Sequence, residues 1–272
     1  MLKADRQMSL LVVRRFARFR LRTLLILIAF IACVLGYWSF TARRQREAIE
    51  NLARFNVRTG YDFEEHFLER SSLWPAWLVE ALGVDYFASV VRVVFHGNNA
   101  AGLEFINQFP RLHTVNIPAS GVADADLVYL EGLTTLHTIW LERNGVTDVG
   151  LHHLRALTGL ETLDLAETHV GNEGLAQLTR LTRLTYLGLE KSLVTDAGLV
   201  HLAALHHLEI LNLNGTQVSD EGLLHLARLT ALEELYLVDT NVSEAGVERL
   251  KKALPNCHVR YGKRPSCDDR AS

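Results

Sequence analysis

Histidines and carboxylates are the side chains of this sequence whose chemistry best suits metal binding or acid/base catalysis. His201 and His225 are separated by 24 residues, so a regular repeat could bring them together on neighbouring turns. We interpret them as surface residues of helices, with a pH-sensitive patch as the alternative; the same interpretation applies to His152, His153, His206 and His207. Glu233 and Glu234 are adjacent, and on a strand they point to opposite faces, which excludes a cooperating acid/base pair. We predict no metal site.

Catalytic motifs are missing from the sequence. It contains no H-E-x-x-H, G-x-S-x-G, phosphate-binding loop, C-x-x-C or dinucleotide-binding glycine pattern, each of which would place reactive groups in a known geometry. We therefore predict that the protein is not an enzyme, has no catalytic residues and needs no cofactor. The formal net charge of −3 also argues against a nucleic-acid partner, since such proteins carry a basic excess.

The cysteines allow two interpretations. Three cysteines are too few for a disulfide framework. Cys33 lies in an apolar run, whereas Cys257 and Cys267 could form one bridge that closes a short C-terminal loop. We favour the alternative, in which Cys257 is a small buried residue on a strand.

An apolar segment near the N-terminus predicts a transmembrane helix at residues 23–42. These twenty residues contain no charge. As a helix the segment would be roughly 30 Å long, which matches the hydrocarbon core of a bilayer. Tyr37 and Trp38 lie near its end, where aromatic rings favour the membrane interface.

Charge around this segment predicts its orientation. The first 46 residues contain ten Lys or Arg and one acidic residue, Asp5. Because the basic excess is greatest before the span, the positive-inside rule places the N-terminus, residues 1–22, in the cytoplasm. The remainder would then be extracytoplasmic in a single-pass membrane protein. The alternatives are a cleaved signal peptide, although bulky Phe40 fits its cleavage site poorly, and a buried core helix.

A 24-residue repeat dominates the rest of the sequence. Its units follow the pattern L-x-x-L-x-L, then apolar residues at positions 11, 16, 19 and 22, and they begin at Leu112, Leu136, Leu160, Leu184, Leu208 and Leu232. Positions 4 and 6 alternate as in a strand, and positions 16, 19 and 22 have helical spacing. Each unit is therefore predicted to be one coil made of a strand, a loop and a helix.

Polar residues and glycines recur between strand and helix. Thr147-Asp148, Thr195-Asp196 and Ser219-Asp220 have the chemistry of helix starts, where a hydroxyl caps the amides and an acid favours the helix dipole. Position 9 is polar in each unit, and we expect its side chain to bond the turning backbone. Position 15 is glycine, which predicts close approach between coils: Gly150, Gly174, Gly198, Gly222 and Gly246.

The repeats extend in both directions. An additional unit fits from Val90 if two residues are missing from its loop, and His258 to Tyr261 could add an edge strand. One coil alone buries too little apolar surface to offset the entropy of ordering it, so the coils must stack. We predict a right-handed α/β solenoid of about seven coils at residues 88–261, with a parallel sheet on its concave side. Residues 262–272 are predicted to be a disordered tail.

Residues 43–87 are predicted to be a juxtamembrane linker and an N-terminal cap. Arg43 to Arg54 is a charged continuation of the membrane helix, and Ser72 to Gly83 contains Trp74 and Trp77. Because an open solenoid end exposes its core, this aromatic segment would cover it. A partner-binding motif is the alternative.

The units L-x-x-L-x-L…V-[TS]-D-x-G-L-x-x-L-x-x-L resemble the leucine-rich-repeat family, in its ribonuclease-inhibitor-like or cysteine-containing-like group. The resemblance covers residues 88–261, and with the basic N-terminus and single span the whole resembles bacterial membrane-anchored leucine-rich-repeat proteins. It implies protein–protein interaction on the concave face. The unit from Leu112 departs from the pattern, with Ala123 in place of the hydroxyl and Asp126 in place of glycine.

The concave face contains the candidate binding residues. Two aromatic residues among carboxylates in position 5 and beside it resemble a recognition surface; the alternative is an ordinary solvent-exposed sheet. The candidates are Trp140, Glu142, Arg143, Asp164, Tyr186, Asn212, Tyr236 and Asp239. An acidic face predicts a basic protein partner. The alternative function is a scaffold of the cell envelope that assembles through the membrane and juxtamembrane segments.

Overall fold

The computed structural model describes residues 2–61, 89–97 and 99–263, with side chains from residue 24 to residue 60 and throughout the two later ranges. The described residues form two compact units, one ending at Arg46 and the other beginning at Glu47. The predicted aromatic segment Ser72–Gly83, Cys267 and the predicted tail from residue 264 onward lie outside the described residues. The predictions for them therefore stay predictions.

The first element is a single long helix, α1 (Leu2–Ala53). Within it Leu24–Ala53 is the one described helix that is long and apolar enough to cross a membrane, with a mean hydropathy of 2.2 in its most apolar window. A signal sequence has the same properties, so this helix could be a membrane anchor or a signal sequence. Its large apolar side chains between Leu24 and Phe40 are exposed, with Ile26 and Phe30 at 70% and 65%.

The second unit is organised around one sheet of nine strands in sequence order, all from the described part of the chain. β1 is antiparallel to β2, and every later pair is parallel. The sequence had not revealed β1. The strands are β1 (Val57–Tyr61), β2 (Val90–Phe95), β3 (Thr114–Asn116), β4 (Thr138–Trp140), β5 (Thr162–Asp164), β6 (Tyr186–Gly188), β7 (Ile210–Asn212), β8 (Glu234–Val238) and β9 (His258–Gly262).

A helical segment follows each strand from β2 to β8, which gives seven coils as predicted. The first three segments are 3-10 helices, and later ones contain α-helical turns. The segments are Ala100–Gln108, Asp124–Leu130, Gly150–Leu154, Asn172–Gln177 continued by Leu178–Arg180, Asp196–Leu199 continued by Val200–Ala204, Asp220–Leu226 and Glu244–Ala253. Positions 16, 19 and 22 are three residues apart, a spacing that a helix with three residues per turn aligns on one face. The later coils have the same spacing and contain α-helical turns, so the spacing alone does not determine the type of helix.

Strand register confirms the repeat and its one irregularity. From β3 onward paired residues are 24 apart, as in Val115 with Ile139. Between β2 and β3 the spacing is 22, because Val93 pairs with Val115; this agrees with the two residues predicted to be missing. Positions 4 and 6 of the coils from Leu112 to Leu232 are fully buried and form a continuous core with positions 16 and 19.

The N-terminal end of this core is covered by the last turns of α1. Ala48 and Leu52 are fully buried in the core, and a Cβ on Gly102 would lie 3.4 Å from Leu52. Phe55, just after the helix, stacks on Phe105 with 6.2 Å between ring centroids. At the other end Cys257 is 6% exposed, and burial raises the pKa of its thiol to about 11. Cys257 is thus a buried core residue, the interpretation that the sequence favoured.

A polar ladder joins successive coils at position 13. Each Asp or Asn there accepts a hydrogen bond from the backbone N–H of position 12 in the next coil: Asp124 from Thr147 at 2.7 Å, and Asn172 from Thr195 at 3.0 Å. The hydroxyl groups of Thr147 and Ser219 donate to the carboxylate of the preceding coil at 2.7 and 2.6 Å. The prediction that these residues act mainly as helix caps was therefore incomplete, since their principal partners lie in the neighbouring coil.

This ladder explains the glycine at position 15. A Cβ on Gly150 would lie 2.5 Å from Asp124 Oδ1, and a Cβ on Gly198 would lie 2.5 Å from Asn172 Oδ1. Gly174, Gly222 and Gly246 face the position-13 residue of the preceding coil in the same way. The coil from Leu112, which has Asp126 at position 15, agrees with this explanation. In the preceding coil the residue that corresponds to position 13 is Ala100, which has no polar side chain. Asp126 is accommodated there, and its carboxylate accepts the Ala123 N–H at 2.9 Å.

Position 9 bonds the turning backbone as predicted at Asn144, Thr168, Thr216 and Thr240. Ser192 is the exception, because its buried hydroxyl has no hydrogen-bond partner within the described residues. Asn144 is 4% exposed; its Nδ2 donates to the carbonyl oxygens of Ile117 and Leu141 at 2.6 and 2.9 Å. The hydroxyl of Thr168 donates to Leu165 at 2.6 Å. These bonds satisfy buried carbonyl groups where the chain leaves each strand.

Candidate functional site

The register of the sheet places position 5 of successive coils in one row on the concave face. Trp140 pairs with Asp164, Asp164 with Gly188, Gly188 with Asn212 and Asn212 with Tyr236. Neighbouring strands are about 4.8 Å apart, so the row from Trp140 to Tyr236 spans roughly 19 Å. The eight candidate residues lie in this row or next to it, but they do not form a single cluster.

Four of the candidates come together at the N-terminal end of the row. The rings of Trp140 and Tyr186 are 5.6 Å apart between centroids and inclined by 37°. The Tyr186 hydroxyl donates to Asp164 Oδ2 at 3.0 Å, and the Ala166 N–H donates to Asp164 Oδ1 at 2.8 Å. Asp164 is only 7% exposed. The Tyr186 hydroxyl and the Ala166 N–H are thus two donors to a buried carboxylate.

Glu142 lies on the same face of β4's continuation as Trp140, two residues further along. Its Oε2 atom is buried and has no hydrogen-bond partner within the described residues. Burial, followed by the charge of Asp164, raises the pKa of the Glu142 carboxyl, while its own backbone amide and Arg143 oppose the rise. Taking a charged group out of water without a full set of partners is unfavourable. Glu142 is thus an electrostatically costly residue.

Glu190 completes the group. It follows Glu142 and Ala166 in position 7, since the Arg143 N–H donates to the Ala166 carbonyl and the Glu167 N–H donates to the Glu190 carbonyl. Burial raises the pKa of Tyr186, and the charges of Asp164, Glu142 and Glu190 raise it further. Glu190 Oε2 accepts from Asn212 Nδ2 at 3.3 Å. We call these five residues the aromatic–acidic cluster: Trp140, Glu142, Asp164, Tyr186 and Glu190.

Two small residues lie among the members of the cluster. Gly188 follows Asp164 in the row, and a Cβ there would lie 2.6 Å from Asp164 Oδ1. Position 188 must therefore be glycine, because the Asp164 carboxylate lies where a Cβ would be. Ala166 occupies position 7 between Glu142 and Glu190. Together Gly188 and Ala166 leave the middle of the cluster without a large side chain.

Arg143 and Asp239 are placed differently, on the turn that ends each strand. Position 8 has a left-handed backbone in the coils from Leu112 onward, with φ of 59° at both residues. The Arg143 guanidinium contacts Glu167 at 3.3 Å, and Lys191 contacts the same carboxylate at 3.0 Å. The two cations draw down the pKa of Glu167, Lys191 more strongly. Arg143 is therefore occupied by a surface ion pair beside the row.

The C-terminal end of the row forms a separate group. The Tyr236 hydroxyl donates to Glu234 Oε2, and the guanidinium of Arg260 lies 5.2 Å from the centre of the Tyr236 ring. Sequence reasoning missed Glu234 and Arg260, although the 24-residue register places Arg260 in position 5 once β9 is counted as a strand. It also passed over Gly188 and did not select Glu190.

No group of three His, Cys, Asp or Glu side chains is positioned to hold a metal ion in residues 24–60, 89–97 and 99–263. His201 is half-buried and His225 is exposed on the helical side.

Comparison with known proteins agrees with this architecture. The family model described as Leucine Rich repeat matches residues 156–178 and 204–227. These segments are leucine-rich repeats. The repeats that the sequence predicted, and the fold that they imply, are confirmed. No curated protein matches the chain.

Solved structures with a similar fold include proteins of two bacteria. Internalin C2 of Listeria monocytogenes has a TM-score of 0.53 and 22% identity, over 69% of this chain and 77% of that one. Internalin F of the same organism has a TM-score of 0.46 and 18% identity, over 60% and 51% of the two chains. A leucine-rich-repeat protein of Leptospira interrogans has a TM-score of 0.49 and 20% identity, over 57% and 38%. At this identity internalin C2 supports the fold alone.

Proposed function

We propose that this chain is a membrane-anchored module that binds a basic protein partner on the concave face of its leucine-rich repeats. The leucine-rich-repeat fold is typical of protein–protein interaction modules. The aromatic–acidic cluster is the observation that supports the concave face as the binding site. Trp and Tyr supply much of the binding energy at protein interfaces, and three carboxylates beside them favour a partner of positive charge.

Affinity capture with matched variants tests this proposal. The full chain carrying Trp140→Ala should lose the partner that the unaltered chain retains from an envelope extract of its own organism. Leu224→Ala is the control, since Leu224 is an apolar side chain, 63% exposed, on the helical side of the same repeats. Equal capture by both variants would reject the concave face.

For the N-terminal segment we propose an uncleaved anchor at residues 23–42, with residues 1–22 in the cytoplasm and the repeats outside. The exposed apolar side chains between Leu24 and Phe40 and the ten basic residues among the first 46 support this arrangement. Protease added to intact spheroplasts should degrade the repeats. Protection of the repeats, or release of the chain by alkaline extraction, would contradict the proposed topology or the anchor.

A further inference from the structure

We propose that the aromatic–acidic cluster is a subsite for one arginine side chain of the protein partner, with the guanidinium group seated above Ala166, between Glu142 and Glu190. The inference rests on the proposed concave-face function and gives it a specific chemistry. Three independent features of the cluster favour this occupant: its charge, the unpartnered oxygen of Glu142 and its aromatic rings.

Charge in the cluster is negative. Positions 5 and 7 of the coils from Leu136 to Leu208 contain Glu142, Asp164 and Glu190 and no lysine or arginine. Arg143 and Lys191, on the adjacent turn, both contact Glu167. A cation between the three carboxylates would therefore meet a strongly favourable potential.

One buried acceptor atom of the cluster lacks a donor within the described residues. It is Glu142 Oε2, two residues after Trp140 on the same strand continuation. A buried acceptor without a donor destabilises the folded protein, and such atoms usually have a reason to be retained. Guanidinium carries five N–H donors in a planar fork, more than any other side chain.

The aromatic pair distinguishes arginine from lysine. Trp140 and Tyr186 present rings inclined by 37° with 5.6 Å between centroids. A planar guanidinium stacks on such a ring and donates in its own plane to carboxylates, whereas an ammonium is a strongly hydrated point charge. The small side chain of Ala166 leaves room for this plane between Glu142 and Glu190.

The test uses the full chain in nanodiscs of neutral phosphatidylcholine and three blocked tripeptides, acetyl-Gly-Xaa-Gly-amide with Xaa as arginine, lysine or citrulline. Citrulline has nearly the shape of arginine without its charge. Binding is followed by the indole N–H resonance of Trp140, assigned by its loss in Trp140→Phe. The arginine peptide should cause a saturable shift at concentrations on the order of 10 mM, the lysine peptide should bind several-fold more weakly, and citrulline should cause no saturable shift.

Variants locate the site. Glu142→Gln and Glu190→Gln should each weaken the arginine peptide by roughly tenfold, as expected for loss of a charge-assisted hydrogen bond. Glu233→Gln is the control. Glu233 is an exposed carboxylate just before β8, outside positions 5 and 7, and its loss should leave binding within about twofold.

Three results would overturn the subsite: no saturable shift with arginine, equal binding of citrulline, or equal binding of lysine. An equal effect of Glu233→Gln would count against it too. These failures are separate from failure of the concave-face function. If Trp140→Ala still abolishes capture of the natural partner while arginine does not bind, the function stands and the arginine subsite is wrong.

Discussion

Replacing Gly198 with alanine should destabilise the repeats because of one contact between neighbouring coils. The added Cβ would lie 2.5 Å from Asn172 Oδ1 and 3.1 Å from both Asn172 Cα and Leu175 Cδ1. Overpacking of this kind costs about 1–3 kcal/mol. Moving the amide also weakens its bonds with Thr195, 3.0 Å to the backbone N–H and 2.9 Å to the hydroxyl, at about 1 kcal/mol each. Alanine regains about 0.5–1 kcal/mol of helix propensity, so the net loss should be about 2 kcal/mol.

Urea unfolding of the full chain in nonionic detergent, followed by circular dichroism, measures this loss. Gly159→Ala is the matched control, since its Cβ would meet nothing closer than the Thr134 carbonyl oxygen at 3.5 Å, and it should leave stability unchanged or slightly raised. In an Asn172→Ala background the amide is absent, and Gly198→Ala should cost at least about 1 kcal/mol less. If the cost is the same in both backgrounds, the contact is not the cause and the interpretation of the glycine column is refuted.

Three further predictions concern charge and packing. Burial and the charge of Asp164 raise the folded-state pKa of the Glu142 carboxyl, against the opposing effects of its own amide and Arg143, so ionisation of Glu142 opposes folding. Glu142→Gln should therefore be as stable as the unaltered chain or more so at pH 7, and the difference should vanish below pH about 4. A clear loss of stability at pH 7 would contradict the assignment. The pKa of Asp220 is lowered, first by the Ser243 hydroxyl and then by the Ser243 amide and Arg249. Its contribution to the free energy of unfolding is therefore present above the ordinary aspartate pKa and is lost as pH falls through the folded-state value. Asp220→Ala should destabilise the chain more at pH 7 than at pH 3 in the same urea assay, and an equal effect at both would count against the ladder. Leu211, fully buried on β7, should lose about 2–5 kcal/mol on replacement by alanine, whereas exposed Leu224 should change stability by less than about 0.5 kcal/mol.

The repeat architecture was accessible from the sequence because the buried positions repeat their spacing. Two apolar residues in alternation, followed by three at intervals of three, specify a strand and a helix in every coil, and the altered spacing of Val93 relative to Val115 was visible as two missing residues. β1 was not visible. Its sequence, Val57 to Tyr61, contains glycine and arginine and lacks a repeat partner, so only tertiary pairing with β2 identifies it as a strand.

Contacts between coils were harder to predict, because position 13 of one coil meets position 12 of the next, 23 residues later in the sequence. Ser219 next to Asp220 has the local signature of a helix cap, and its hydroxyl does accept the Glu221 N–H at 3.3 Å. The same hydroxyl donates to Asp196 at 2.6 Å, a partner that no local pattern identifies. The glycines at position 15 indicated that neighbouring coils approach closely, but not that the approaching group is the position-13 side chain of the preceding coil.

The candidate site was predictable as a row but not as a cluster. The 24-residue period fixes which side chains share position 5, so Trp140, Asp164, Asn212 and Tyr236 were expected to be neighbours in sequence order. Side-chain directions decide the rest. Tyr186, from position 3, reaches Asp164 by its hydroxyl, whereas Tyr236 bonds Glu234 on its own strand. Hydrogen bonds of this kind separate the row into two groups.

Site-specific photocrosslinking in living cells tests the central claim most directly. A photoreactive phenylalanine analogue is introduced at Asn212, in position 5 next to the aromatic–acidic cluster, and in a second strain at Val149, 72% exposed before the helical segment Gly150–Leu154. If the concave face binds a protein partner, irradiation should attach one defined protein to the probe at Asn212 and none at Val149. Attachment of that protein at Val149 alone, with none at Asn212, would contradict the concave-face account.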